Sequence, residues 1–177
     1  MSQIFLVVGA PAVGKSTTAH ALAARFEKSI HIPVDVLRDM VVSGLALPGE
    51  WNARLVEQLR LARQSAVHMA RAYRETGFVV AIDDFWDPNS RLEEYGPLLQ
   101  EPEVYKILLY PSQQVAEERN QNRSGPSEIN AYIAGGIREV YAHLPADAAF
   151  LQRRGWVVVD TTDKSVEATV DEILRAC

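Results

Sequence analysis

Apolar residues fall into short unbroken runs separated by longer stretches in which they recur at every third or fourth position. Ile4–Val8 and Phe78–Ile82 lack the polar alternation of a sheet with one wet face, so each predicts a strand buried on both sides, and Val104–Tyr110 predicts another strand. Trp156–Val159 reads as a short strand of the same kind. Ser29–Asp35 predicts a further strand, which Pro33 confines to a sheet edge because proline cannot donate to a ladder. Between these runs, Leu55, Leu59, Ala62, Ala66, Met69 and Tyr73 step by three and four, predicting one buried face of a long helix over 51–76 whose arginines mostly face elsewhere. Gly77 stops it. Shorter helices are expected over 36–42, 90–100, 111–122, 128–143 and 165–176, with loops at 43–50 and 124–127 where Gly and Pro gather. Five strands alternating with helices predict an α/β fold on a parallel sheet, and the absence of repeats or linkers predicts one domain over 1–177.

The junction between the first strand and the helix after it carries the most specific signal. Gly9-Ala10-Pro11-Ala12-Val13-Gly14-Lys15-Ser16 has the spacing G-x-x-x-x-G-K-[ST] between a strand and a helical pattern, the setting that this motif requires. Its glycines let successive N–H groups point inward as a nest for phosphate oxygens, and the helix N-terminus adds unpaired donors. Lys15 is placed to reach the β- and γ-phosphates, and the Ser16 hydroxyl to ligate a magnesium ion bridging them.

In open α/β sheets ligands collect beyond the carboxyl ends of the strands, so acids at those ends are the next candidates. Asp83 or Asp84 closes the third strand and is expected to hold Mg2+, with Asp83 preferred by position. Asp35 closes the second strand. With Arg38 three residues later it can address one pocket, the carboxylate orienting a substrate hydroxyl and taking its proton, the guanidinium gripping an anionic or polar group. Arg119 and Arg123 share a helical face just before the Gly125-Pro126 break, as a mobile lid over 119–138 would require, and either can stabilise charge on a transferring phosphoryl group.

Bulk properties narrow the partners. A net charge of −5 disfavours a long polyanion, so nucleic acid is not the expected partner. The basic residues are 14 Arg and 4 Lys, a bias suited to bidentate recognition of phosphate or carboxylate. The only cysteine, Cys177, cannot form an internal disulfide, which with the lack of a secretion signal or a membrane-length apolar run predicts a cytoplasmic protein. The four histidines have no metal-ligand or catalytic-triad spacing. A monomer or weak homodimer is expected.

On Gly9–Thr17, Val34-Asp35-Val36-Leu37-Arg38, Val79–Asp84, Arg119-x-x-x-Arg123 and Trp156–Thr162, the chain resembles the small P-loop kinases of the nucleoside-monophosphate-kinase-like group. That group includes shikimate kinase, gluconate kinase and chloramphenicol phosphotransferase. The resemblance implies a three-layer P-loop NTPase fold with five parallel strands in the order 2-3-1-4-5, and ATP bound along Gly9–Thr17. It further implies Asp35 as acceptor base, a lid bearing Arg119 and Arg123, and the loop Asp160–Asp163 near the adenine. No monophosphate-binding arginine set is evident, and the loop 43–51 matches no substrate signature. The expected activity is ATP- and Mg2+-dependent transfer of the γ-phosphoryl group to a hydroxyl of a small acceptor held by residues 35–76. The competing readings are a nucleotide-dependent switch acting through a protein partner and a nucleic-acid end kinase.

Overall fold

The computed structural model describes residues 2–46, 52–86, 92–124 and 128–177. Five parallel strands, β1 (Ile4–Gly9), β2 (Ser29–Pro33), β3 (Val79–Phe85), β4 (Val104–Leu109) and β5 (Val157–Val159), form one sheet in the order β2-β3-β1-β4-β5. The order is the expected one, and β2 with its Pro33 lies at an edge. Strand β1 is central, with all six residues buried, as the unbroken apolar run requires. Its register sets Val7 beside Asp83 and Gly9 beside both Phe85 and Leu109, so the phosphate-binding motif leaves the sheet flanked by the ends of β3 and β4.

Helices α1 (Lys15–Ala23) and α6 (Val166–Ala176) pack together on one face. Helix α3 (Ala53–Glu75) and a 3-10 turn at Glu93–Tyr95 pack together against the other, and the short α2 (Val34–Asp39) leans on α3. Asn52 caps α3, its Oδ1 accepting from the Leu55 N–H at 3.0 Å. At the amino ends of the strands, Arg74 of α3 donates to the Ser2 carbonyl at 2.8 Å, to Glu101 at 3.1 Å and to the Pro102 carbonyl, tying helix to sheet away from the strand ends where ligands gather.

Helices α4 (Gln113–Ser124) and α5 (Glu128–Arg153) form a hairpin, and residues 125–127 of the expected break lie outside the described residues. The sequence places the end of this second helix near His143, yet α5 runs ten residues further, through Pro145. A mid-helix proline costs about 3 kcal/mol. Burial of Leu144, Ala148 and Leu151 in the core offsets it. The other difference is over 90–100, where the described residues form two 3-10 turns, Glu93–Tyr95 and Leu98–Gln100, because Gly96 and Pro97 interrupt a helix between them. At the top of the sheet Trp86 joins these layers: its N–H donates to the Gly9 carbonyl at 2.8 Å and its indole to Asp147 of α5 at 2.9 Å.

Gly9 is held by space rather than by φ. A Cβ there would lie 2.7 Å from the Leu109 carbonyl oxygen and 2.8 Å from Val13 Cγ2, both closer than van der Waals contact permits. Gly9→Ala should therefore lower stability by about 1–3 kcal/mol, the usual range for overpacking, read as a shift of the urea midpoint without a change in slope.

Candidate active site

The loop from Gly9 to Lys15 turns through two left-handed residues, Ala12 at φ 62° and Gly14 at φ 95°. For Ala12 this conformation costs on the order of 1–2 kcal/mol, which the surrounding packing must offset. Gly14 caps α1 without a side chain, so nothing from the cap competes for the amides of the helix's first turn. Lys15 Nζ donates to the Ala10 carbonyl at 2.9 Å and so lies back over the loop it is meant to serve. Val13 is buried and pins the loop to the core, while Ser16 and Thr17 are exposed at the start of the helix.

The two acids expected at the carboxyl end of the third strand are there, within the last three residues of β3. Side chains of consecutive strand residues point to opposite faces, so the two carboxylates part company. Asp83 faces α1: its Oδ2 accepts from Ser16 Oγ at 2.7 Å and its Oδ1 from His31 Nε2 at 2.5 Å. A carboxylate oxygen accepts, so His31 Nε2 is the donor in this pair. Asp84 faces α3, where Arg63 Nε donates to it at 2.7 Å, the Tyr95 hydroxyl at 3.1 Å and the Phe85 amide at 2.8 Å. Arg63 Nη1 also stands 3.5 Å from Glu94, and its guanidinium lies 5.2 Å from the Phe85 ring centroid.

Asp84, Arg63 and Tyr95 are all buried. Burial raises the Asp84 carboxyl to about pH 6, outweighing the opposing pull of Arg63, and the nearby charge of Asp35 adds to the rise. The Tyr95 hydroxyl is driven well above its ordinary range by the same burial and by Asp84, so it stays a donor at neutral pH.

Asp35 sits in the first turn of α2 rather than at the end of β2, exposed to solvent. Among the described residues no side chain or amide donates a hydrogen bond to its carboxylate, and its field is felt at Asp84. Arg38, one turn on, places Nη2 3.3 Å from Asp39 while its buried Nε has no hydrogen-bond partner among the described residues. Arg119 of α4 donates from Nη1 to the Val13 carbonyl at 3.1 Å and from Nη2 to the Thr161 carbonyl at 2.9 Å, bridging the phosphate loop and the segment after β5. In that segment Asp160 is held ionised below its usual range by the hydroxyl and amide of Thr162. The side chain of Arg123 and residues 47–51 of the expected acceptor loop lie outside the described residues.

Three residues of this region escape the sequence reading. The arginines of α3 are expected mostly away from its buried face, and Arg63 and Arg74 are the exceptions, within the buried stripe. Their signal is spacing: Leu59, Arg63 and Val67 step by four along the apolar side. His31 shares a strand face with Ser29 and Pro33 but has no motif, and Tyr95 lies in a turn with none.

The loop after β1 thus lies beside a strand that carries one carboxylate on each face. A model of the AAA domain family matches residues 4–144, most of the chain. The chain belongs to the AAA domain family. This AAA-family chain is 24% identical over 182 residues to an adenylate kinase of Nautilia profundicola, covering 98% of the chain and 95% of the relative. Its fold is that of the P-loop kinases. It superposes on a tunicamycin resistance protein of Deinococcus radiodurans with a TM-score of 0.64 at 15% identity, over 99% of this chain and 95% of that one. On a gluconokinase of Sinorhizobium meliloti the TM-score is 0.61 at 16% identity, over 98% and 90%. Among the described residues no helix is long and apolar enough to cross a membrane.

The raised Asp84 carboxyl sets a pH dependence with a definite sign. The folded chain keeps this proton up to about pH 6, whereas the unfolded carboxyl releases it near 3.8, so raising pH between those values favours unfolding. The stability of the parent chain relative to Asp84→Asn should therefore fall as pH rises from about 4 to about 6 and level off above, measured by urea denaturation of both at each pH.

Proposed function

We propose that this family member is an ATP- and Mg2+-dependent phosphotransferase that moves the γ-phosphoryl group to a hydroxyl of a small molecule. The observation that carries this reading is Asp35: an exposed carboxylate with no hydrogen-bond donor among the described residues, at the same sheet end as the phosphate nest and about two strand spacings, roughly 10 Å, from it. A phosphate acceptor has no proton to lose on attack and calls for cations, whereas a hydroxyl needs a base.

The residues take the following parts. The amides of Gly9–Thr17 and Lys15 bind the triphosphate, Lys15 exchanging the Ala10 carbonyl for phosphate oxygens. Ser16 Oγ and Asp83 Oδ2, hard oxygens 2.7 Å apart at the nest, suit a magnesium ion that takes its other ligands from phosphates and water. Among the described residues no cluster of three or more His, Cys, Asp or Glu forms a cage, in keeping with a cation that arrives with its nucleotide. When bound, that ion neutralises charge on the phosphates. Asp84, engaged by Arg63 and Tyr95, serves the acceptor side rather than the metal. Asp35 orients the acceptor hydroxyl and takes its proton, and Arg38 offers its unpartnered Nε to an anionic or polar group of the acceptor. Arg119 braces the nest against the loop after β5, and Arg123, four residues on in the sequence, is the second arginine assigned to stabilising charge on the transferring group.

The chain acts as one unit over residues 1–177, with the acceptor on residues 35–76 and the α4–α5 hairpin over 119–138 as its cover. Its partner is a small molecule, as the name of the gluconokinase neighbour suggests for that protein. The adenylate kinase relative makes AMP, a phosphate acceptor, the competing substrate.

Both readings are met by one screen, of ATP consumption against hydroxylated metabolites, sugar acids, antibiotics and AMP. A hydroxyl-bearing hit whose phosphorylation falls about 10²–10⁴-fold in Asp35→Asn, with ATP binding kept, is the expected result. Turnover of AMP at parental rate in Asp35→Asn would instead assign a phosphate acceptor. Lys15→Met should abolish transfer to either, measured as ADP release.

A further inference from the structure

His31 lies on β2, two strands away from the phosphate loop, yet its side chain ends against the residue that the nest depends on. Its Nε2 is 2.5 Å from Asp83 Oδ1, while Ser16 Oγ is 2.7 Å from Asp83 Oδ2. Because an ionised carboxylate accepts only, both neighbours donate. The hydroxyl of Ser16 has one proton and donates it to Asp83, so its lone pairs are turned away from that carboxylate. The orientation persists only while the Asp83 carboxylate is kept from rotating about its terminal bond, a torsion with a broad energy profile when nothing restrains it.

We infer that His31 is the positioning residue that locks Asp83, and through it Ser16, in the arrangement that receives magnesium together with the nucleotide. The inference rests on the metal assignment of Ser16 and Asp83 proposed above. His31 reaches Asp83 diagonally across the β2–β3 ladder, in which Asp83 is registered with Pro33 and His31 with Ala81. The imidazole side chain is 16% exposed and the Asp83 side chain 7%, so water competes poorly for the bond. His20 meets the His31 ring edge-on with centroids 5.9 Å apart, which fixes the plane of the donor. A partner that orients a ligand from behind supports metal affinity by about 10–100-fold in known sites. The same bond ties the strand that leads to Asp35 directly to the strand and loop that hold the nucleotide.

The test is calorimetric titration of the full chain with a non-hydrolysable ATP analogue, in EDTA and across a range of magnesium concentrations, at constant pH. His31→Ala should raise the magnesium concentration giving half of the affinity gain by about tenfold or more, while the affinity in EDTA stays within about twofold. His31→Gln, whose amide N–H reaches about the same place, should restore most of the magnesium response. An unchanged magnesium response in His31→Ala would overturn the inference, as would a parallel loss of affinity in EDTA, which is what a merely structural role produces, or a failure of Gln to restore it. If the parent chain bound the analogue without any magnesium effect, the metal reading of Ser16 and Asp83 would fall first. A parental effect retained in the variant would remove the role of His31 alone.

Discussion

Asp83 and Asp84 are consecutive residues of β3, and the two-residue repeat of an extended chain sends their side chains to opposite faces of the sheet. On one face the carboxylate meets the phosphate loop and β2; on the other it meets α3 and the turn at Glu93–Tyr95. The strand therefore separates two charged environments by the thickness of a backbone. Moving the register of β3 by one residue would exchange them, taking Asp84 away from Arg63 and Asp83 away from Ser16 and His31. The parallel pairing of β3 with both β1 and β2 guards against that slip.

The two environments differ in how their charge is held. Asp83 is bound by the Ser16 hydroxyl and the His31 imidazole and stands beside the loop after β1. Asp84 is enclosed, and a buried carboxylate is tolerated only with a partner and hydrogen bonds, here Arg63, Tyr95 and the Phe85 amide. Removing Arg63 would leave that carboxylate uncompensated, a loss on the order of 3–5 kcal/mol. This cluster is thus a stiff wall between β3 and α3. Asp35 lies on a short helix that leans on α3, exposed to solvent.

A similar division appears along the sheet. At the amino ends of the strands Arg74 satisfies two carbonyls and Glu101, a purely cohesive use of a buried cation. At the carboxyl ends hydrogen bonds hold loops in place, Arg119 to Val13 and Thr161 and Thr162 to Asp160, and tie strand to strand, His31 to Asp83. Parallel strands make this asymmetry unavoidable, because every crossover returns the chain to the same end.

The α/β class, the five strands, the edge position of β2 and the nest at Gly9–Ser16 were legible in the sequence because each rests on local rules. Apolar runs, proline's missing donor, and the spacing of two glycines, a lysine and a hydroxyl all act within one strand–turn–helix. The strand order was reached by resemblance to a family rather than from the runs themselves, and the length of α5 was misjudged because burial of Leu144, Ala148 and Leu151 overrides a proline. The acids of β3 could be named but not told apart, and Arg63, Tyr95 and His31 could not be assigned to the site. Their contacts span 11 to 67 residues of chain and depend on which face of the sheet each side chain meets. Local chemistry determined the strand–turn–helix that carries the G-x-x-x-x-G-K-[ST] spacing; only the packing of β2, α1 and α3 around β3 decided which carboxylate lies beside it, because the face of a strand is defined by its neighbours.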